Sequence, residues 1–210
     1  MAGRLLIVGA GGHARAVADL AEACGWSIGG FVGASGAPAT AEVLGSDDDL
    51  ATLVTKRRFA GAIVGVGNTA LARRPVLFAR LRELGVATPS LVHPSATVSP
   101  SATIGGGTVV FPHVVVGAKA VVGEDAVIYS GSVLEHGCRI GDHVYLAPGV
   151  ILCGDVCVEA DAFLGAGAIV VPGVVVGKGA VVAAGARIAG NVTAGLKVSG
   201  APVPTARVPS

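Results

Sequence analysis

In a region built almost entirely from glycine and small aliphatic residues, the stretch VLEHGCRIGD (133–142) sets Glu135 and His136 side by side. An imidazole titrates at about pH 6.5 when unperturbed, so His136 is suited to accept a proton near neutrality, as a general base does. The ring nitrogen not used for that transfer needs a fixed partner to set the tautomer. Glu135 is one candidate and a backbone carbonyl the other. A second cluster, Gly9-Ala10-Gly11-Gly12-His13, ends the apolar run Leu5–Val8. It opens a segment in which Ala16, Val17, Leu20 and Ala21 recur at helical spacing. The unpaired N–H groups of a helix start favour anions such as a pyrophosphate, and His13 stands beside them. Gly9-x-Gly11-x-x-Ala14 also fits the dinucleotide fingerprint, but that pattern requires an acid about 20 residues later, at the end of the second strand. Phe31-Val32-Gly33 supplies none, so NAD is not expected.

The elements that must carry these residues fall into two halves. Residues 1–90 alternate strand and helix signals: strands over Leu5–Val8, Trp26–Val32 and Ala60–Val66, and helices after Gly12, over Asp47–Leu53 with Ser46 as cap, and over Ala70–Leu84. This predicts a small Rossmann-like α/β unit with a parallel sheet. Arg73, Arg74 and Lys197 could meet phosphates, but are read as solvated surface charges.

From about residue 92 the period becomes six. Stepping by six from Val92 to Ile188 gives seventeen positions, each of them Val, Ile or Leu. The residue two before each is small or β-branched, as at Ala96, Ala102, Thr108, Val114, Ser132, Cys138 and Val144. Positions i−2 and i share one face of a strand, and the Gly, Pro, Asp and Asn between them supply corners. Three such units close a triangular coil, giving a parallel β-helix over residues 91–210 with a short C-terminal tail. Each aliphatic then stacks on another one coil away, at about 4.8 Å. His136, two after the inward Leu134, falls at a corner and points outward. Tyr129 is outward as well and is read as an interface filler, whereas Cys138 is inward and packs.

Bulk properties remove several classes of function. The 210 residues carry a formal net charge of +1, and 4% are aromatic, so neither nucleic acid nor a membrane surface is an expected partner. No long apolar run escapes Gly or polar breaks, and no leader peptide is read at the N-terminus. Cys24, Cys138, Cys153 and Cys157 form no CxxC pair, which favours a reduced, cytoplasmic setting. His93, His113, His136 and His143 are separated by 20, 23 and 7 residues, none a multiple of a coil, so no zinc or other metal site is expected. No Ser–His–Asp set is readable, which favours direct transfer over an acyl-enzyme.

The hexads resemble those of the hexapeptide-repeat acyltransferases. IVGAGGHAR, VGVGN, LVHPSATVSPSATIG, EHGCRIGD and VSGAP together resemble, more narrowly, the NeuD/PglD-like sugar acetyltransferases over nearly the whole chain. The resemblance implies a left-handed coil and a homotrimer with active sites at subunit interfaces. It implies a nucleotide-sugar held by residues 1–90 through Gly11, Gly12, His13, Gly67 and Asn68. It implies acetyl-CoA along the β-helix at Tyr145, Ala166 and Ala184, and His136 as base with Glu135 beside it. Three positions depart from the family pattern. Gly137 stands where an acid often follows the histidine, Tyr145 where a second histidine is common, and Gly33-Ala34 where some relatives carry an acidic pair. A backbone N–H near Phe111–His113 is a candidate oxyanion donor. The expected reaction is N-acetylation of a nucleotide-linked amino sugar. The alternatives are O-acetylation of a sugar hydroxyl, as on sialic acid, and a non-catalytic trimeric binding module.

Overall fold

A computed structural model of the chain describes residues 3–33, 42–56 and 59–199. Ala34 and the Gly200-Ala201-Pro202 end of the VSGAP motif lie outside the described residues. The first unit is a four-stranded parallel sheet in the order β3-β2-β1-β4, from β1 (Arg4–Val8), β2 (Ser27–Val32), β3 (Val43–Gly45) and β4 (Gly61–Val64). Three helices accompany it: α1 (Gly12–Ala23), α2 (Leu50–Lys56) and α3 (Arg73–Glu83). Leu5–Val8 and Gly61–Val64 are buried throughout, as strands covered on both faces must be. α1 turns Ala14, Val17, Leu20 and Ala21 inward, the helical spacing seen in the sequence. Ser46 precedes a 3₁₀ turn, Asp47–Asp49, that runs into α2; its N–H and hydroxyl both donate to the Asp49 carboxylate, at 2.8 and 3.0 Å. The three-residue strand β3 has no counterpart among the elements read from the sequence, since it is too short to show a period.

The second unit is the predicted β-helix. Its two-residue strands form three flat parallel faces. The first face holds seven strands, from Leu91–Val92 through Tyr145–Leu146 to Lys197–Val198. The second holds six, from Thr97–Val98 to Arg187–Ile188, and the third five, from Thr103–Ile104 to Val175–Val176. Neighbours pair in an 18-residue register, as Val127 does with Tyr145 and Leu134 with Leu152. The inward positions form one continuous column of buried aliphatics from Val110 to Ile188, lined by Ala, Val, Cys138, Thr108 and Ser132 at the small positions. The inward hydroxyls are satisfied: Thr108 donates to the Gly123 carbonyl at 2.7 Å, and Ser132 to that of Ala147 at 3.2 Å. The final coil is two residues short, so that Val181 pairs with Lys197 and Val176 with Val192.

The two units pack against each other. Leu5, Ile7, Ala14 and Val17 share a core with Leu91, Val109, Phe111, Val127 and Tyr145 on the first face. Arg74 corrects the expectation of a solvated charge: its side chain is 0% exposed. It occupies the i, i+3, i+4, i+7 stripe with Leu77, Phe78 and Leu81, which α3 turns inward. It donates to the Val66 carbonyl at 2.7 Å and to the Asp125 carboxylate at 2.6 Å. The second Asp125 oxygen lies 3.0 Å from His143 Nδ1, one coil away. Asp125 holds the His143 imidazole above its ordinary pKa, chiefly through that hydrogen bond.

Candidate active site

The glycine cluster and the VGVGN segment meet at the carboxyl ends of β1 and β4. These are the adjacent strands from which the chain departs in opposite directions, the position where parallel α/β sheets bind ligands. Gly9 has φ 135°, and a Cβ there would lie 2.6 Å from the Gly65 carbonyl oxygen, so only glycine fits. Gly11 caps α1 and Gly12 begins it, both exposed. Gly67 lies against His13, since a Cβ at Gly67 would be 2.9 Å from that of His13; Asn68 follows on the exposed side. The fold thus brings Gly11, Gly12, His13, Gly67 and Asn68 to the same end of the sheet.

The His13 ring turns toward the β-helix. Its Nδ1 is 2.7 Å from the Tyr129 hydroxyl, and Phe111, Tyr129 and Tyr145 surround it with ring centroids at 6.0, 5.6 and 6.0 Å. Its Nε2 is buried without a partner. Burial first, and the Arg74 charge second, lower its pKa to about 3, so the ring is neutral. Tyr129 is therefore an interface residue, as expected, and also the partner that fixes an imidazole.

His136 lies on the opposite side of the β-helix, at the corner between the second and third faces, and is exposed. Its backbone is held by the next coil: the Asp155 N–H donates to the His136 carbonyl at 2.9 Å. Its ring lies against Gly154, where a Cβ would be 2.5 Å from Cε1 and 2.6 Å from Nε2. Among the described residues, neither Glu135 nor a backbone carbonyl hydrogen-bonds the ring. The residue is exposed, and neither ring nitrogen is engaged within the described chain. Cys138, two residues on, points inward and is buried, and burial pushes its thiol up to about 11; it is no nucleophile.

Ala166 and Ala184 are stacked at the corner between the first and second faces, both exposed, with the Gly185 N–H donating to the Ala166 carbonyl at 2.8 Å. The structure does not bring Tyr145 to that edge. Its ring is 5% exposed, packed between Tyr129 and Phe163 beneath α1, and its hydroxyl pKa is raised by burial. The suggested oxyanion donors are also corrected. The Phe111 N–H donates to the Ile128 carbonyl at 2.9 Å, the His113 N–H to the Ser95 hydroxyl at 3.2 Å, and Pro112 has no N–H. The small alanines and His136 thus occupy the two edges of the second face. Between them the face presents Val115, Ile151 and Ile169, which are 39, 38 and 39% exposed.

Comparison with known proteins decides the family. The profile of the PglD N-terminal domain matches residues 4–76, and that of the bacterial transferase hexapeptide, six repeats, matches residues 119–154. PerB from Caulobacter crescentus, solved with CoA and GDP-perosamine, is 34% identical over 95% of both chains, with a TM-score of 0.90. The acetyltransferase domain of PglB from Neisseria gonorrhoeae, solved with acetyl coenzyme A, is 33% identical over 95% of this chain and 97% of that one, with a TM-score of 0.85. The chain belongs to the NeuD/PglD-like sugar acetyltransferases. The coil of this acetyltransferase is accordingly the left-handed β-helix of hexapeptide repeats. WeeI from Acinetobacter baumannii, 24% identical with a TM-score of 0.82, shares the fold. No match was found among curated proteins. Among the described residues, no helix is long and apolar enough to cross a membrane, and no group of three His, Cys, Asp or Glu side chains is placed to hold a metal.

Proposed function

We propose that this sugar acetyltransferase moves the acetyl group of acetyl-CoA to the amino group of a nucleotide-linked amino sugar, with His136 as general base. The observation that carries the reading is the state of His136. Its imidazole is exposed on a β-helix edge with both nitrogens unengaged, in a chain whose relatives were solved with CoA and GDP-perosamine. Two further structures of the Caulobacter perosamine N-acetyltransferase carry a histidine substitution with the same two ligands, which supports a histidine at the chemistry.

In this reading the end of the sheet at Gly11, Gly12, His13, Gly67 and Asn68 takes the nucleotide-sugar. The helix start offers N–H groups to its phosphates, and the neutral His13 ring, whose buried Nε2 has no partner within the described chain, lies behind them. Acetyl-CoA lies along Ala166 and Ala184, where the absence of side chains lets an extended arm approach the coil. The amine attacks the thioester carbonyl carbon while His136 takes the proton the nitrogen sheds. The C–S bond then breaks, and the CoA thiolate leaves and recovers the proton from the imidazolium. No covalent enzyme intermediate is needed, consistent with the burial of Cys138.

One chain places His136 and Ala166 on opposite edges of the second face, so a working site requires a second copy. The exposed Val115, Ile151 and Ile169 of that face suit packing against another prism. A ring of three, each giving a different edge to each neighbour, closes the arrangement. Replacing His136 by Ala is expected to lower kcat by about 10²–10⁴ with the melting temperature preserved. Wild-type turnover by the folded variant would refute the assignment. Parallel assays with nucleotide-linked amino sugars and with hydroxy sugars decide the acceptor; acetylation of the hydroxy sugars alone would overturn the amine.

A further inference from the structure

Gly154 stands one coil beyond His136 at the same corner. Two physical reasons favour glycine at the corners of this β-helix. One is a left-handed backbone, as at Gly131, Gly137, Gly149, Gly167 and Gly185, all with φ between 67° and 71°. The other is the backbone of the next coil lying where a side chain would go. A Cβ at Gly117 would be 2.8 Å from His136 N, at Gly141 2.6 Å from Ala160 N, at Gly165 2.4 Å from Ala184 N, and at Gly177 2.5 Å from Ala194 N.

Neither reason applies to Gly154. Its φ is not in the left-handed region. The three atoms nearest to its missing Cβ all belong to one imidazole: His136 Cε1 at 2.5 Å, Nε2 at 2.6 Å and Nδ1 at 3.3 Å. That imidazole has no hydrogen bond within the described chain to hold it. We infer that Gly154 is the positioning residue for His136: the missing side chain is the seat on which the ring lies, and it sets where Nε2 points. This rests on His136 being the base.

A carbon contact is comfortable at about 3.5–4.0 Å, so a methyl group at position 154 must push the ring away by about 1 Å. A displacement of that size at a reacting group costs about 10²-fold in rate. The test compares kcat and both KM values for Gly154→Ala, His136→Ala and the double variant. Gly190→Ala is the control, because Gly190 sits at the same corner two coils on and has nothing within 4 Å of its missing Cβ.

Gly154→Ala is expected to lose about 10²-fold in kcat with both KM values within about twofold of wild type. Gly190→Ala should turn over at the wild-type rate. Added to His136→Ala, the second substitution should cost nothing further, and any melting-temperature loss it causes alone should vanish once the ring is gone. If Gly154→Ala does not fold, the double variant decides. Folding of the double supports the seat, and failure of the double overturns it. Wild-type kcat in Gly154→Ala, or an equal further loss in the His136→Ala background, also overturns the inference. Wild-type turnover in His136→Ala would instead sink the base itself, so the two failures are distinguishable.

Discussion

His13 lies under aromatic rings with the Arg74 charge nearby, whereas His136 stands on an open corner. The first environment has a consequence in solution. With its pKa lowered to about 3, His13 stays neutral in the folded protein while the unfolded chain binds a proton below 6.5. The unfolded state then holds more protons, so the stability present above 6.5 is lost as pH falls from there toward 3. The slope approaches about 1.4 kcal/mol per pH unit. His13→Gln, which can keep a hydrogen bond to Tyr129 but cannot titrate, should melt below wild type at pH 7.5, and the gap should close by pH 5. Melting curves at the two pH values check this, and a constant gap would contradict it. At this scale the sequence exposes residue types and leaves partners hidden. His136 stood out because the hexad needs no histidine at a corner. Its seat did not, because Gly154 gains meaning only when residues one coil apart are stacked. The sequence does hold a glycine 18 residues after the histidine, but that its backbone lies outside the left-handed region is seen only in the structure.

At the scale of elements, the β-helix was legible because its rule is local. Two inward positions in every six suffice to predict a coil, and all the predicted columns are buried from Val110 onward. The α/β unit was legible wherever a run was long enough to carry a period, hence β1, β2, β4 and the three helices, and not β3. What the sequence hid was the joint between the units. Arg74, Asp125 and His143 meet only because α3 docks on the corner between the third and first faces. The spacing of Arg74 with Leu77, Phe78 and Leu81 does mark it as inward, but its partner lies 51 residues away. Replacing Arg74 by Met leaves the fully buried Asp125 carboxylate without its cation. A loss of about 3–5 kcal/mol follows from breaking a buried pair on one side. Urea unfolding should show that loss, and hydrogen exchange should place early opening at α3. An unchanged midpoint would mean that the joint bears no load.

For the whole molecule, the decisive geometry is the width of one face. The end of the sheet proposed to take the nucleotide faces the first face, the alanine edge borders the first and second, and His136 borders the second and third. No single prism can bring these together. A closed ring of three can, because each copy offers its His136 edge to one neighbour and its alanine edge to the other. The most direct measurement is complementation. His136→Ala chains are mixed with His13→Ala chains after dissociation, and the reassembled mixed trimers are assayed. Each parent is expected to be nearly inactive alone. If the base of one chain serves the sugar held by its neighbour, random mixing in equal amounts restores intact sites at about one quarter of the wild-type number. Activity no greater than that of the parents, in trimers shown to be mixed, would contradict a site shared between chains.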